Sequence, residues 1–164
     1  AFGAKVFTTV GSDEKCMKTK ILGAELSINY KKQDFAEEIN HYTNKKGVNM
    51  ILDMIGAEYF EKNLNILSVN GKLVIIAFQG GFEKKLNLLP ILTKRLTVTG
   101  STLRPRSPNE KGLIAESLFK KVWPLIEKGV VMPQIYVTYK LEDASKAHTL
   151  MESSQHIGKI VLTV

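Results

Sequence analysis

A parallel, doubly wound α/β sheet is the fold class this sequence predicts, and three observations predict it. Short β-branched runs alternate with helix-length amphipathic segments between Lys5 and Ser101, the spacing of strand–helix crossover units. The run 48–54 is apolar on both faces near its end, as suits a central parallel strand covered by helices on each side. Hydrophobic residues make up 44% of the 164 positions, enough to bury a core with no disulfide or metal to staple it.

Taken in order, residues 5–10 read as a strand, and Gly11-Ser12 makes a turn in which Ser12 caps a helix over 13–22. Gly23 ends that helix, and 25–30 is the next strand. Asp34 caps a second helix reaching Tyr42, with Phe35 and Ile39 on its buried face. A loop over 44–47 leads to the third strand, 48–54, and Ile55-Gly56 turns the chain into a helix over 57–67. Asn70-Gly71 opens a strand over 72–78, the Gly80-Gly81 loop leads to a short helix over 88–94, and the strand from Arg95 to Ser101 follows. Beyond Pro105 and Pro108 the character changes. A long amphipathic helix over 110–128 presents Ile114, Leu118, Val122 and Ile126, with a kink expected at Pro124. A strand over 134–139, a helix over 142–152 and a strand over 159–164 complete the chain.

Charge and cysteine usage narrow the function classes. Twenty lysines and three arginines against 16 acidic residues give +7, enough to raise the question of a nucleic-acid surface. Lysines spread along the whole chain, with only Arg95, Arg104 and Arg106 available for base readout, argue against it. No apolar run approaches the roughly 18 to 20 residues a membrane span needs. The lone Cys16 can close no intramolecular bridge, which fits a reducing compartment and makes the cytoplasm the expected location. His41, His148 and His156 lie far apart with no metal-ligand spacing, so no metal site is expected. The chain opens on Ala1, and Gly3 reads as the stop of a helix, so the sequence is expected to begin mid-fold as a fragment.

The most informative motif is a missing one. The 12 glycines never occur two positions apart, so there is no G-x-G-x-x-G fingerprint, and no Walker A sequence either. A chain that opens at a helix end and continues as strand, turn and helix has the layout of a Rossmann half without its first strand and Gly-rich loop. Residues 5–10 would then be the second strand, whose C-terminal end meets the adenosine ribose. An NAD site presents Asp or Glu there. This strand instead ends Val10-Gly11-Ser12, with Lys15 one turn into the helix. Gly11 lets the backbone approach, Ser12 offers a hydroxyl, and Lys15 adds charge at the positive end of the helix dipole, together suiting a 2'-phosphate. The same Gly-Ser pair also reads simply as a helix cap, and Asp13 and Glu14 weaken the local positive field.

The ordered pieces Gly11-Ser12-Asp13-Glu14-Lys15, Leu22-Gly23-Ala24, Ile28-Asn29-Tyr30, Asp34-Phe35, Gly47-Val48, Leu52-Asp53-Met54-Ile55-Gly56, Asn70-Gly71-Lys72 and Gly158-Lys159-Ile160-Val161-Leu162 span essentially the whole chain. As a set they resemble the quinone oxidoreductase (zeta-crystallin-like) branch of the medium-chain dehydrogenase/reductase superfamily. The resemblance implies an NADPH-dependent, zinc-independent reductase about twice this length, with an N-terminal catalytic domain absent here. It implies a truncated NADP-binding Rossmann-like domain over 1–128 and a C-terminal α/β tail over 129–164 that returns to the catalytic domain. It places the adenosine 2'-phosphate on Gly11, Ser12, Lys15 and Tyr30, and the nicotinamide amide on the backbone around Phe78 and Gly80. Ser101 and Leu103 face the same cleft in similar proteins. It assigns no general acid or nucleophile to these residues, because hydride transfer is the cofactor's own chemistry.

The function expected is the NADPH-binding portion of a reductase passing hydride to a quinone or electron-poor carbonyl acceptor, assembled as a homodimer through the edge strand from Arg95 to Ser101. An enoyl reductase of the same superfamily is the neighbouring alternative. A non-enzymatic oligomerisation or RNA-binding module, resting on the +7 charge and the missing loop, is the alternative of a different class.

Overall fold

A computed structural model describes all residues, Ala1–Val164. The chain divides into two compact units, one of Lys5–Ser107 and one of Ala1–Ala4 with Pro108–Val164. The division falls between Ser107 and Pro108. The long helix that the sequence assigns to the Rossmann-like part, with a boundary after 128, therefore groups with the C-terminal strands.

In the first unit, strands and helices alternate as β1 (Phe7–Val10), α1 (Asp13–Ile21), β2 (Leu26–Asn29), α2 (Phe35–Tyr42), β3 (Val48–Asp53), α3 (Phe60–Ile66), β4 (Leu67–Ile75), α4 (Leu89–Thr93) and β5 (Thr97–Gly100). Both predicted caps form. Ser12 is extended, and its Oγ accepts from the Lys15 N–H at 3.2 Å. Asp34 Oδ1 accepts from the N–H groups of Ala36 and Glu37 at 2.8 and 3.3 Å, while Lys62 Nζ donates to Oδ2 at 2.6 Å. The Lys62 ammonium foremost, helped by the two amides, holds the Asp34 carboxyl below the usual carboxylate range.

All pairings are parallel, the expected α/β arrangement, with β3-β4-β5 forming one ladder and β1-β2 a second. No ladder joins β1 to β3, so each keeps an open edge. Without a strand between them the two neither pair directly nor close the sheet. Side chains bridge the interruption instead. Phe35 and Ile39 of α2 pack with Ile28 of β2 and Ile66 of α3, and Phe7, Val48 and Ile51 pack around them. A second cluster, Leu64, Leu67, Leu73 and Leu96, fills the space between α3 and β3-β4-β5, with Leu64 and Leu73 fully buried.

Two boundaries differ from the sequence expectation. The strand expected over 72–78 ends at Ile75, and at its start the register jumps from Val48↔Leu67 to Met50↔Lys72 as the chain passes Asn70, whose φ is 63°. The Asn70-Gly71 turn is thus real, but it lies within the pairing rather than before it. Lys94 closes this corner: its ammonium donates to the carbonyls of Leu64, Asn65 and Leu67 at 3.2, 2.7 and 3.0 Å, a cation on the carbonyl end of α3. Burial lowers the Lys94 pKa.

The second unit contains α5 (Pro108–Lys121), α6 (Trp123–Glu127), β6 (Ile135–Lys140), a 3-10 turn (Leu141–Asp143), α7 (Ala144–Glu152) and β7 (Lys159–Thr163), with β6 and β7 parallel. The single kinked helix expected over 110–128 is two helices. Pro124 stands in the first turn of α6, where its missing N–H and fixed φ are tolerated, so it starts a new helix instead of bending an old one. No helix of the chain is long and apolar enough to cross a membrane.

Candidate cofactor site

β1 ends at Val10, and Gly11-Ser12 carries the chain into α1. The Tyr30 N–H donates to the Val10 carbonyl at 3.1 Å, which sets the end of β2 beside that turn. The Tyr30 ring then crosses Gly11: a Cβ at Gly11 would lie 2.9 Å from Tyr30 Oη and 3.3 Å from Cζ. A side chain at Gly11 would displace the end of the Tyr30 ring from this position. Gly11, Ser12 and Tyr30, named from the sequence, are therefore brought together at one strand end, with the backbone of Lys15 tied to the same turn through Ser12. Ser12 Oγ accepts the Lys15 amide as a helix cap and keeps its O–H as a donor, so capping and anion binding are compatible roles.

The acidic residues at the start of α1 matter less than their sequence suggests. Asp13 Oδ2 accepts from Lys32 Nζ at 2.5 Å, and Oδ1 accepts from Asn29 Nδ2 at 2.7 Å. The Lys32 hydrogen bond, with that of Asn29, holds the Asp13 carboxyl below its ordinary range, and Asp13 in turn raises the Lys32 ammonium. The Asp13 charge is thereby matched before it can oppose an anion at the helix N-terminus. Asn29 is buried, and its Oδ1 also accepts from the Lys31 N–H at 3.1 Å. Its organising part was missed from sequence; its place beside Tyr30 at a strand end was the available signal.

A second group forms where β3 and β4 end. Asp53, 4% exposed, accepts from the N–H groups of Ile55 and Gly56 at 2.8 and 3.1 Å and so shapes the turn after β3. The chain leaving β4 is laced onto that turn: Gln79 N–H donates to Met54 O at 3.0 Å, Gly80 N–H to Ile55 O at 2.7 Å, and Ala57 N–H to Gly81 O at 2.8 Å. Gly80 has no space for a side chain, since a Cβ would lie 2.6 Å from Ile55 Cγ2 and 3.0 Å from Glu58 Oε2. The sequence ended a strand at Phe78 and put Gly80 in the loop after it; the structure ends that strand at Ile75 and puts both residues in the loop. Phe78 is 55% exposed, so it is not a closing core residue. The Gly80 amide is committed to Ile55, which leaves its contribution as lack of bulk. Ser101 follows β5; its N–H donates to Ile75 O at 2.9 Å, beside the same loop, and its Oγ accepts from Arg106 Nη2 at 3.2 Å. Leu103 is exposed.

The surroundings of Gly11 fit a phosphomonoester: a backbone turn without side-chain bulk, a hydroxyl donor, lysine, and a phenol folded over the cradle. No group of three or more His, Cys, Asp and Glu side chains could hold a metal ion.

The sequence pattern of the zinc-binding dehydrogenase family matches residues 22–162. Quinone oxidoreductase-like protein 2 of Bos taurus is 27% identical over 161 residues, covering 98% of this chain and 46% of that protein. The 2-haloacrylate reductase of Burkholderia sp is 32% identical over 162 residues, covering 98% of this chain and 48% of that protein. Among solved structures, an NAD-dependent alcohol dehydrogenase superposes with a TM-score of 0.83 at 30% identity, over 99% of this chain and 45% of that one. Quinone oxidoreductase of Escherichia coli complexed with NADPH superposes with a TM-score of 0.78 at 28% identity, over 97% of this chain and 50% of that one. The chain thus spans about half the length of the relatives it matches.

Proposed function

Because the chain belongs to the zinc-binding dehydrogenase family, in the quinone oxidoreductase branch of the medium-chain dehydrogenase/reductase superfamily, we propose that it is the NADPH-holding portion of a quinone reductase. The observation that carries this reading is the convergence of Gly11, Ser12, Lys15 and Tyr30 at the end of β1, with no acidic side chain left unpaired against the ribose position except the exposed Glu14. Bound nicotinamide supplies the hydride; the chain supplies position and field. Ser12 and Lys15 hold the 2'-phosphate, and Tyr30 closes over it. The loop tied to the β3 turn through Gly80 and Gly81 presents Phe78 to the nicotinamide end, with Ser101 beside it.

The acceptor is a quinone or an electron-poor enone. Similarity to a 2-haloacrylate reductase favours the enone as the second reading. Two titrations test the proposal. NADPH should bind more tightly than NADH, and equal affinity would overturn the choice of cofactor. With p-benzoquinone present, the 164 residues alone should oxidise NADPH negligibly, since they contain no Gly-rich pyrophosphate loop and span half the length of their relatives. Substantial turnover would mean that the acceptor site lies within this chain.

A homodimer belongs to the same reading. β5 is the outer strand of its ladder and all four of its residues are exposed, leaving an open edge of Thr97, Val98, Thr99 and Gly100. Pairing two such edges about a two-fold axis satisfies both at once. Successive amides of a strand point alternately to β4 and outward, so proline at Val98 and at Thr99, tested separately, removes the outward donor in one of the two. That variant should sediment as a monomer with unchanged circular dichroism. Dimers in both would move the contact to another surface.

A further inference from the structure

We propose that Lys31 is an additional ligand of the adenosine 2'-phosphate, a specificity-determining residue that closes the site over Gly11 from the same side as Tyr30. The proposal rests on the NADPH reading and extends it to a residue that the sequence did not single out.

Three observations carry it. First, Lys31 Cε lies 3.5 Å from where a Cβ at Gly11 would stand, next to Tyr30 Oη at 2.9 Å. The lysine stem therefore runs beside the β1–α1 turn, and its ammonium is one bond further on. Second, the backbone that carries this side chain is anchored. Buried Asn29 accepts the Lys31 N–H at 3.1 Å through Oδ1, while its Nδ2 holds Asp13 at 2.7 Å, so one side chain fixes both the lysine's backbone and the start of α1. Third, adjacent lysines divide the work. Lys32 pairs with Asp13, as Lys62 pairs with Asp34 and Lys5 with Glu25, whereas Lys31 forms no ion pair. A cation without a carboxylate partner beside a glycine cradle, a hydroxyl and a helix N-terminus is arranged for a dianion.

An ammonium there discriminates by charge. A ribose bearing only hydroxyls gains little from Lys31, whereas a 2'-phosphate gains a charge-assisted contact in addition to that of Lys15. Because the stem also packs near Gly11 and Tyr30, charge and packing have to be separated in the test.

The experiment follows amide chemical shifts of the 164-residue chain during titration with adenosine 2'-monophosphate, adenosine 5'-monophosphate and inorganic phosphate. The wild type should bind the 2'-monophosphate most tightly. Lys31→Met, which keeps the apolar stem, should weaken that nucleotide roughly fivefold to tenfold. It should leave the 5'-monophosphate unchanged, and Lys31→Arg should restore most of the loss. If the wild type does not prefer the 2'-monophosphate, the NADPH reading itself falls. If that preference holds and Lys15→Glu abolishes it while Lys31→Met binds like the wild type, the NADPH reading stands and the role of Lys31 is overturned. Inorganic phosphate binding as tightly as the nucleotide, with the same dependence on Lys31, would overturn the assignment by making the site a general anion site.

Discussion

Replacing Lys15 with glutamate is expected to raise the Kd for NADPH roughly tenfold to a hundredfold while leaving NADH nearly unchanged. Lys15 is half-buried in the first turn of α1, and its amide is fixed by the Ser12 cap, so its side chain starts from a defined point beside the turn. A charge-assisted hydrogen bond to phosphate contributes about 1.5 to 3 kcal/mol, and tenfold in affinity corresponds to about 1.4 kcal/mol. Glutamate removes that contact and adds repulsion, but only for a cofactor carrying the extra phosphate. Titrating both cofactors against wild type and variant measures the difference directly. Equal weakening of both would mean that Lys15 acts on the fold of α1 or on the shared part of the dinucleotide.

Gly56→Val should have the largest effect on stability and should separate the two ends of the site. Gly56 has φ of 84°, a region that β-branched residues avoid at a cost of about 1 to 3 kcal/mol. A Cβ there would stand 2.6 Å from Phe78 Cδ1 and 2.7 Å from the Gly81 carbonyl oxygen. The carbonyl is backbone, held by the Ala57 N–H at 2.8 Å, so relief requires moving the whole 78–81 loop, typically about a further 1 to 3 kcal/mol. Urea unfolding should therefore show a loss of at least about 2 kcal/mol. Gly81→Val is the comparison: its φ is 91°, but nothing lies within 4 Å of its Cβ position, so it incurs the backbone cost alone. Where Gly56→Val remains folded, affinity for adenosine 2'-monophosphate should persist while NADPH affinity falls, because the displaced loop is the one proposed to meet the nicotinamide. A variant as stable as Gly81→Val would show that the loop yields without cost.

What the sequence by itself determined about this protein is local or periodic. Strand–helix alternation specifies parallel α/β pairing, because each crossover places the next strand in the same direction. Ser12 and Asp34 announce helix starts because a cap acts on amides two or three residues away. The grouping proposed as a phosphate cradle could be drawn from sequence for a related reason: Gly11, Ser12 and Lys15 lie within one turn, and Tyr30 directly follows the strand paired with β1. Tertiary structure alone decided features that depend on partners far along the chain. That Lys32 and Asn29 both meet Asp13 is one such feature, since it needs the end of β2 beside the start of α1, a placement set by the register of β1 against β2. That the Gly80 amide is occupied follows from the meeting of two loops more than twenty residues apart, set by the β3–β4 pairing. That α2 packs across both ladders was likewise decided in three dimensions, since side-chain burial, unlike a ladder hydrogen bond, does not require neighbouring backbones to be in register.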